Sequence, residues 1–210
     1  MAWAFRTGAP ERAAPTGPAR PVVVANIDPP ASLGLAPLRP IADAPGAALL
    51  EGPAATPDRV MAAAASATFL EIHAHGLLGG GGWDAVGEED TSLLVLAPDA
   101  QGRYALGGTE IRRARLRGSP VVVLASCHAS AIGHAFHSTW GLADAFIEAG
   151  ARAVIASPDP IQDAGAGAFF SALRARVTAG ETPVAALRAE RLAHGNSGER
   201  IWIDRLVAFQ

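Results

Sequence analysis

The sequence predicts an α/β fold with a mostly parallel central sheet covered by helices on both faces, and three observations carry that expectation. The runs Pro21–Asn26 and Pro120–Ala125 are short, rich in valine and apolar but for the closing Asn26, as strands buried on both faces are. Such runs alternate with helical segments opened by a capping residue or a proline at the first turn. The length, 210 residues, suffices for one α/β domain with a sizeable core and is short for two.

The elements follow in order. Residues 1–20 hold Gly8, Pro10, Pro15, Gly17 and Pro18 without periodicity and read as a disordered or linker tail, leaving 21–210 as the folded unit. The strand Pro21–Asn26 closes at Asp28-Pro29-Pro30, and residues 31–40 form a proline-rich connection. Residues 41–50 read as a helix; a clearer one opens at Thr56-Pro57-Asp58, where Thr56 is placed to cap and Pro57 to fill the first helical position. A strand at 68–74 leads to His75-Gly76 and the run Gly79 to Gly82, then come a strand at 92–97, a turn at 98–102 and a short helix from Thr109. The strand 121–125 delivers Cys127. After it come a helix at about 139–149 stopped by Gly150, a strand at 151–157, helices near 164–178 and 183–194, and a last strand at 200–209.

Composition narrows the function classes. Net charge is −3, every basic side chain is arginine, and apart from Arg112, Arg113, Arg115 and Arg117 they are scattered, so nucleic acid is not an expected partner. That arginine group reads as a solvated helix face. One cysteine makes no internal disulfide, the first residues lack an apolar secretory core, and no uninterrupted apolar stretch reaches membrane-spanning length; a cytoplasmic protein without a membrane partner is expected.

The chemistry concentrates at two strand ends. Cys127 stands two residues past an aliphatic run, between Ser126 and His128, and His75 stands just past another. A thiol and an imidazole at neighbouring strand ends meet the needs of a cysteine nucleophile and its base. Gly76, lacking a side chain, lets its N–H come close to a reacting carbonyl and, with the N–H of Cys127, form an oxyanion hole. Asp159 and Asp163 flank the end of the next strand and read as loop caps or as an acidic pocket for a basic substrate side chain; Ser126 joins them as an expected substrate-binding residue. His73, His75, His128, His134 and His137 lie near the same ends, so a metal-dependent hydrolase is an alternative. No finger or zincin spacing is present, and no metal or other cofactor is expected. The Gly79 to Gly82 run is followed by Trp83-Asp84 in place of the lysine and hydroxyl of a phosphate loop.

The segments Phe69-Leu-Glu-Ile-His-Ala-His75-Gly76, Ser92-Leu-Leu-Val-Leu, Val121-Val-Val-Leu-Ala-Ser-Cys127 and Gly141-Leu-Ala-Asp-Ala-Phe-Ile-Glu-Ala-Gly-Ala151 with Val154-Ile-Ala-Ser157, in that order, resemble the CHAT domain. Phe169-Phe-Ser-Ala-Leu173, Pro183-Val-Ala-Ala-Leu187, Ile201-Trp202 and Val207-Ala-Phe209 continue the likeness from about residue 20 to the C-terminus. This family is a bacterial branch of the caspase-like (clan CD) cysteine peptidases, which include relatives of separase. The resemblance implies a caspase-like three-layer α/β/α sandwich, His75 and Cys127 as catalytic dyad, Gly76 as the oxyanion glycine, and Asp163 near the specificity pocket.

It implies a cysteine endopeptidase cutting a protein substrate through an acyl-enzyme. A catalytically silent signalling or scaffold module of the same fold is the other reading. Two positions depart from the family's habit: Ser157-Pro158-Asp159 stands where Ser-Leu-Trp is common, and Trp140 where an acidic residue is common. Both bear on substrate preference. The tetratricopeptide array that often precedes the domain has no counterpart here, so either a separate regulatory protein chain is an expected partner or the domain is a short stand-alone form.

Overall fold

A computed structural model of the chain describes residues 4–5, 13, 15–39, 44–78, 92–127, 129, 133–135, 138–161, 165–194 and 201–210. Among them, β2 (Pro21–Ala25), β3 (Ala48–Glu51), β4 (Phe69–His73), β8 (Val121–Ala125) and β11 (Ala153–Ala156) are parallel neighbours in one sheet. β12 (Val207–Phe209) adds antiparallel to β11, and β1 (Ala4–Phe5) pairs parallel with β12, giving the order β1-β12-β11-β8-β4-β2-β3. Every residue of β4, β8 and β11 is buried, as their unbroken apolar runs require.

Alternate side chains of these strands face opposite layers. On one face Leu70, Ile72, Val122, Leu124 and Val154 pack with α1 (Pro57–Ala64), α2 (Gly108–Arg113) and α3 (Leu142–Ala149). On the other, Phe69, Val121, Val123 and Ile155 pack with α4 (Ala166–Thr178), α5 (Pro183–Ala193) and α6 (Ile201–Arg205) through Phe169, Phe170, Leu173, Leu187, Trp202 and Ile203. The result is the three-layer α/β/α sandwich expected of the sequence. No helix among the described residues is long and apolar enough to cross a membrane.

Several local expectations are corrected. The helix expected over 41–50 is the turn before β3 followed by β3 itself. Pro45 and the left-handed Gly46 (φ 74°) break any helix there, and Leu49 and Leu50 serve opposite faces of the sheet, a period of two. Residues 41–43 lie outside the described residues. The strand expected at 92–97 forms as β6 (Ser92–Val95). It belongs to a second, antiparallel sheet with β5 (His75–Leu78) and β7 (Ala105–Gly107), which continues from β4 after the single residue Ala74.

The helix expected from about 139 begins only at Leu142, because Ser138–Trp140 forms β10 against β9 (Gly133–Ala135). Gly150 ends α3 at φ 121°, as expected. The last strand is confined to 207–209. Trp202, Ile203 and Leu206 are buried from a short helix whose end Arg191 holds, its guanidinium donating to the carbonyls of Ile203 (3.2 Å), Asp204 (3.3 Å) and Leu206. The tail is partly in the sheet, through β1. Thr56 takes the cap position of α1 without a side-chain bond, whereas Thr182 caps α5 by accepting from the Ala185 N–H at 3.3 Å, with Pro183 at the first turn.

An ion pair joins β4 to the second helical layer. Glu71, fully buried on β4, accepts from Arg174 Nη1 of α4 at 2.6 Å and from His73 Nε2 at 2.6 Å. Removing one member of a buried pair strands the other. Arg174→Met is therefore expected to lower unfolding free energy by about 3–5 kcal/mol in urea titrations. Combining it with Glu71→Leu should recover the loss apart from the orphaned His73 N–H, worth about 1–3 kcal/mol.

Candidate active site

The register of β4 against β8 places the two expected catalytic residues. Phe69 faces Val121 and each later pair follows to His73 opposite Ala125. Two residues further along each chain stand His75 and Cys127, beyond the C-terminal ends of the strands, where open α/β sheets bind ligands. Both border one cavity of about 210 Å³, together with His73, Ala74, Ala125 and, from other elements, Leu38, Ile161 and Ala166.

His75 Nε2 lies 2.7 Å from the carbonyl oxygen of Ala36. A carbonyl only accepts, so this nitrogen carries the proton and Nδ1 is left for other work. Ala36 belongs to the proline-rich connection after β2, which Arg39 clamps: its guanidinium pairs with Asp28 and donates to the carbonyls of Ile27 (3.2 Å) and Leu38 (2.8 Å). The connection thereby contributes both the histidine's anchor and the Leu38 wall.

Cys127 is partly exposed and has a free thiol. The Ile161 N–H points at its Sγ from 3.4 Å, and the Ile161 carbonyl lies 4.0 Å away, so the loop after β11 rests on the sulfur. Gly76 is needed for close approach. A Cβ built there would overlap the Cys127 carbonyl oxygen and stand 2.7 Å from Ser126 Oγ and 2.9 Å from the Cys127 carbonyl carbon. The first residues of β5 thus pack directly on the backbone carrying Cys127.

Of the expected substrate-binding residues, the two described ones, Ser126 and Asp159, do not line this cavity. Ser126 is buried, does not border the cavity, and its Oγ has no partner among the described residues. Asp159 also does not border it. Its N–H donates to Ser157 Oγ at 3.1 Å in a local turn, and its carboxylate faces Arg205 Nε at 3.4 Å, both side chains about half exposed. Asp163 lies outside the described residues, as do His128 and His137 and the side chain of His134. Among the described residues no three His, Cys, Asp or Glu side chains converge to hold a metal ion.

Sequence reasoning missed the Ala36 carbonyl, Leu38, Ile161 and Ala166, and gave His73 no part in substrate binding. A signal was present for one of them: Glu71 and His73 are polar residues two apart in a strand otherwise apolar, which puts both on the face that α4 covers.

The model of the CHAT domain matches residues 18–200. The chain belongs to the CHAT family. No curated protein matches it. Among solved structures it is similar to RgpB of Porphyromonas gingivalis in the complex of its pro- and mature domains, with a TM-score of 0.54 and 14% identity over 90% of this chain and 46% of that one. The Arg specific cysteine proteinase gingipain R (RGPB) gives a TM-score of 0.48 and 16% identity over 78% of this chain and 37% of that one. This CHAT chain thus spans less than half the length of either structure. The likeness is one of fold, caspase-like α/β/α with helices on both faces of a mostly parallel sheet.

Gly76→Ala tests the close approach at this CHAT site. The added methyl must displace the Cys127 segment, so labelling of Cys127 by a thiol-reactive peptide probe is expected to slow by about 100-fold while the far-ultraviolet circular dichroism spectrum is retained. Undiminished labelling would show that the two segments separate at no cost.

Proposed function

We propose that this CHAT domain is a cysteine endopeptidase that cuts a specific protein partner through a His75–Cys127 dyad. The observation that carries the reading is the single cavity that His75 and Cys127 share beyond the paired ends of β4 and β8. Membership of a family of caspase-like peptidases adds to it.

The chemistry follows from the atoms present. With Nε2 donating to Ala36, Nδ1 takes the thiol proton, and the thiolate attacks the scissile carbonyl to form an S–C bond. The developing oxyanion is held by backbone N–H groups, for which Gly76 and Cys127 are the candidates. The imidazolium gives its proton to the departing amine as the C–N bond breaks. Water, deprotonated by the same imidazole, then attacks the thioester, and the S–C bond breaks to return the thiol.

The partners proposed with this reading are a protein substrate and a separate regulatory chain, both in the cytoplasm. A binding module of the same fold is the competing reading, favoured by one observation: the Ile161 N–H already occupies the sulfur.

The test compares wild-type chain with Cys127→Ala and His75→Ala in a lysate of the source cells, reading new N-termini by mass spectrometry. Each substitution is expected to lower cleavage at least ~1000-fold, as loss of a nucleophile or its base does. Chelator treatment is expected to leave cleavage unchanged. Cleavage undiminished by Cys127→Ala would overturn the proposal; loss on chelation with stoichiometric zinc would favour the metal hydrolase.

A further inference from the structure

The cavity that holds Cys127 has a built polar floor. His73 and Ala125 are register partners on adjacent strands and point to the same layer, so they sit beneath the thiol, one step down the sheet. Helix α4 closes the other side with three residues spaced four apart. Ala166 borders the cavity, Phe170 meets the His73 ring edge-on with centroids 5.6 Å apart, and Arg174 pairs with Glu71 one pleat deeper. Glu71 in turn takes the His73 Nε2 proton at 2.6 Å. Ring plane, tautomer and position of His73 are therefore fixed from behind by Phe170, Glu71 and Arg174.

Only Nδ1 of His73 is left to face a ligand, and with the proton on Nε2 it accepts a hydrogen bond. Of the other described residues that line the cavity, Leu38, Ala74, Ala125, Ile161 and Ala166 are apolar. Glu71 offers no free negative charge, because Arg174 neutralises it and His73 covers it.

We infer that His73 determines specificity by accepting a hydrogen bond from an uncharged side chain bearing a donor, the carboxamide of glutamine or asparagine, in the substrate residue before the scissile bond. This inference rests on the peptidase reading above. A lysine or arginine would desolvate its charge with no carboxylate to meet it among the described lining residues and with the Arg174 guanidinium behind the floor. An aspartate or glutamate would meet the Nδ1 lone pair. An aliphatic side chain would cover that nitrogen and leave it without a partner. Sites built to bond a polar side chain reject analogues that lack it for this last reason.

The experiment uses the full chain and four fluorogenic tetrapeptide series differing only in the residue before the scissile bond: glutamine or asparagine, lysine or arginine, aspartate or glutamate, and leucine or methionine. The amide series is expected to lead in kcat/KM by about tenfold or more. His73→Leu is expected to reverse the order of glutamine over leucine, whereas His73→Gln, which keeps an acceptor, should retain part of it. The ratio of two substrates on one preparation is read, so a general loss of folded protein cancels. If His73→Leu does not fold, the wild-type order and His73→Gln decide. A leading basic, acidic or aliphatic series, or a ratio unmoved by the substitutions, overturns this inference and leaves the peptidase reading standing. No cleavage of any series, with Cys127 refractory to peptide probes of all four classes, sinks both.

Discussion

The site depends on the pairing of β4 with β8. Their parallel register, His73 opposite Ala125 at its upper end, carries the two chains out of the sheet level with each other. A shift of one residue would turn each β8 side chain to the opposite layer and carry Cys127 away from the cavity. That register is secured by burial on both faces: Leu70, Ile72, Val122 and Leu124 serve one helical layer, and Phe69, Val121 and Val123 the other. A slip of β4 by one residue would move Glu71 and His73 into the aliphatic first layer and leave Arg174 without its carboxylate, so the polar residues of β4 oppose slippage together with the apolar ones.

Two further constraints turn paired strand ends into a cavity. The connection after β2 is irregular, yet Arg39 ties it to Asp28 and to the Ile27 carbonyl, which brings the Ala36 oxygen to His75. On the opposite side α4 enters from a left-handed Gly165 (φ 79°) and runs along the sheet, so residues spaced by four stand at successive depths: Ala166, Phe170, Arg174. One element fixes His75, the other the floor. The thiol lies between them, under Ile161.

The frame was legible because it is local. Aliphatic runs bounded by Gly, Pro and Asp mark β2, β4, β8 and β11, and the proline openings mark α1 and α5. Cys127 and His75 were found from their distance past those runs, a count along the chain. What escaped needs contacts distant in sequence. Ala36 is 39 residues from His75, and Arg174 is 103 residues from Glu71. Leu49 and Leu50 read as helix or strand until β2 lies beside them. Proximity to a strand end fits Asp159 as a loop cap or as a pocket carboxylate alike. Position along the chain does not give direction, and it faces Arg205.

Glu71 puts a carboxylate in a strand that is otherwise mostly apolar. An aliphatic there would pack between Phe69 and the α4 helix without desolvating a charge, and replacing a buried ion pair by apolar side chains is often neutral or stabilising. Arg174 alone does not account for the pair, since its own burial costs as much as that of Glu71. The account closes only when His73 is included. The carboxylate orders two donors at once, one from α4 and one from its own strand, and so locks His73 in the cavity floor to the helix that forms the cavity wall. A local violation of the apolar pattern beside a nucleophile is where stability and function part, and here the violation lies behind the site and holds it in position.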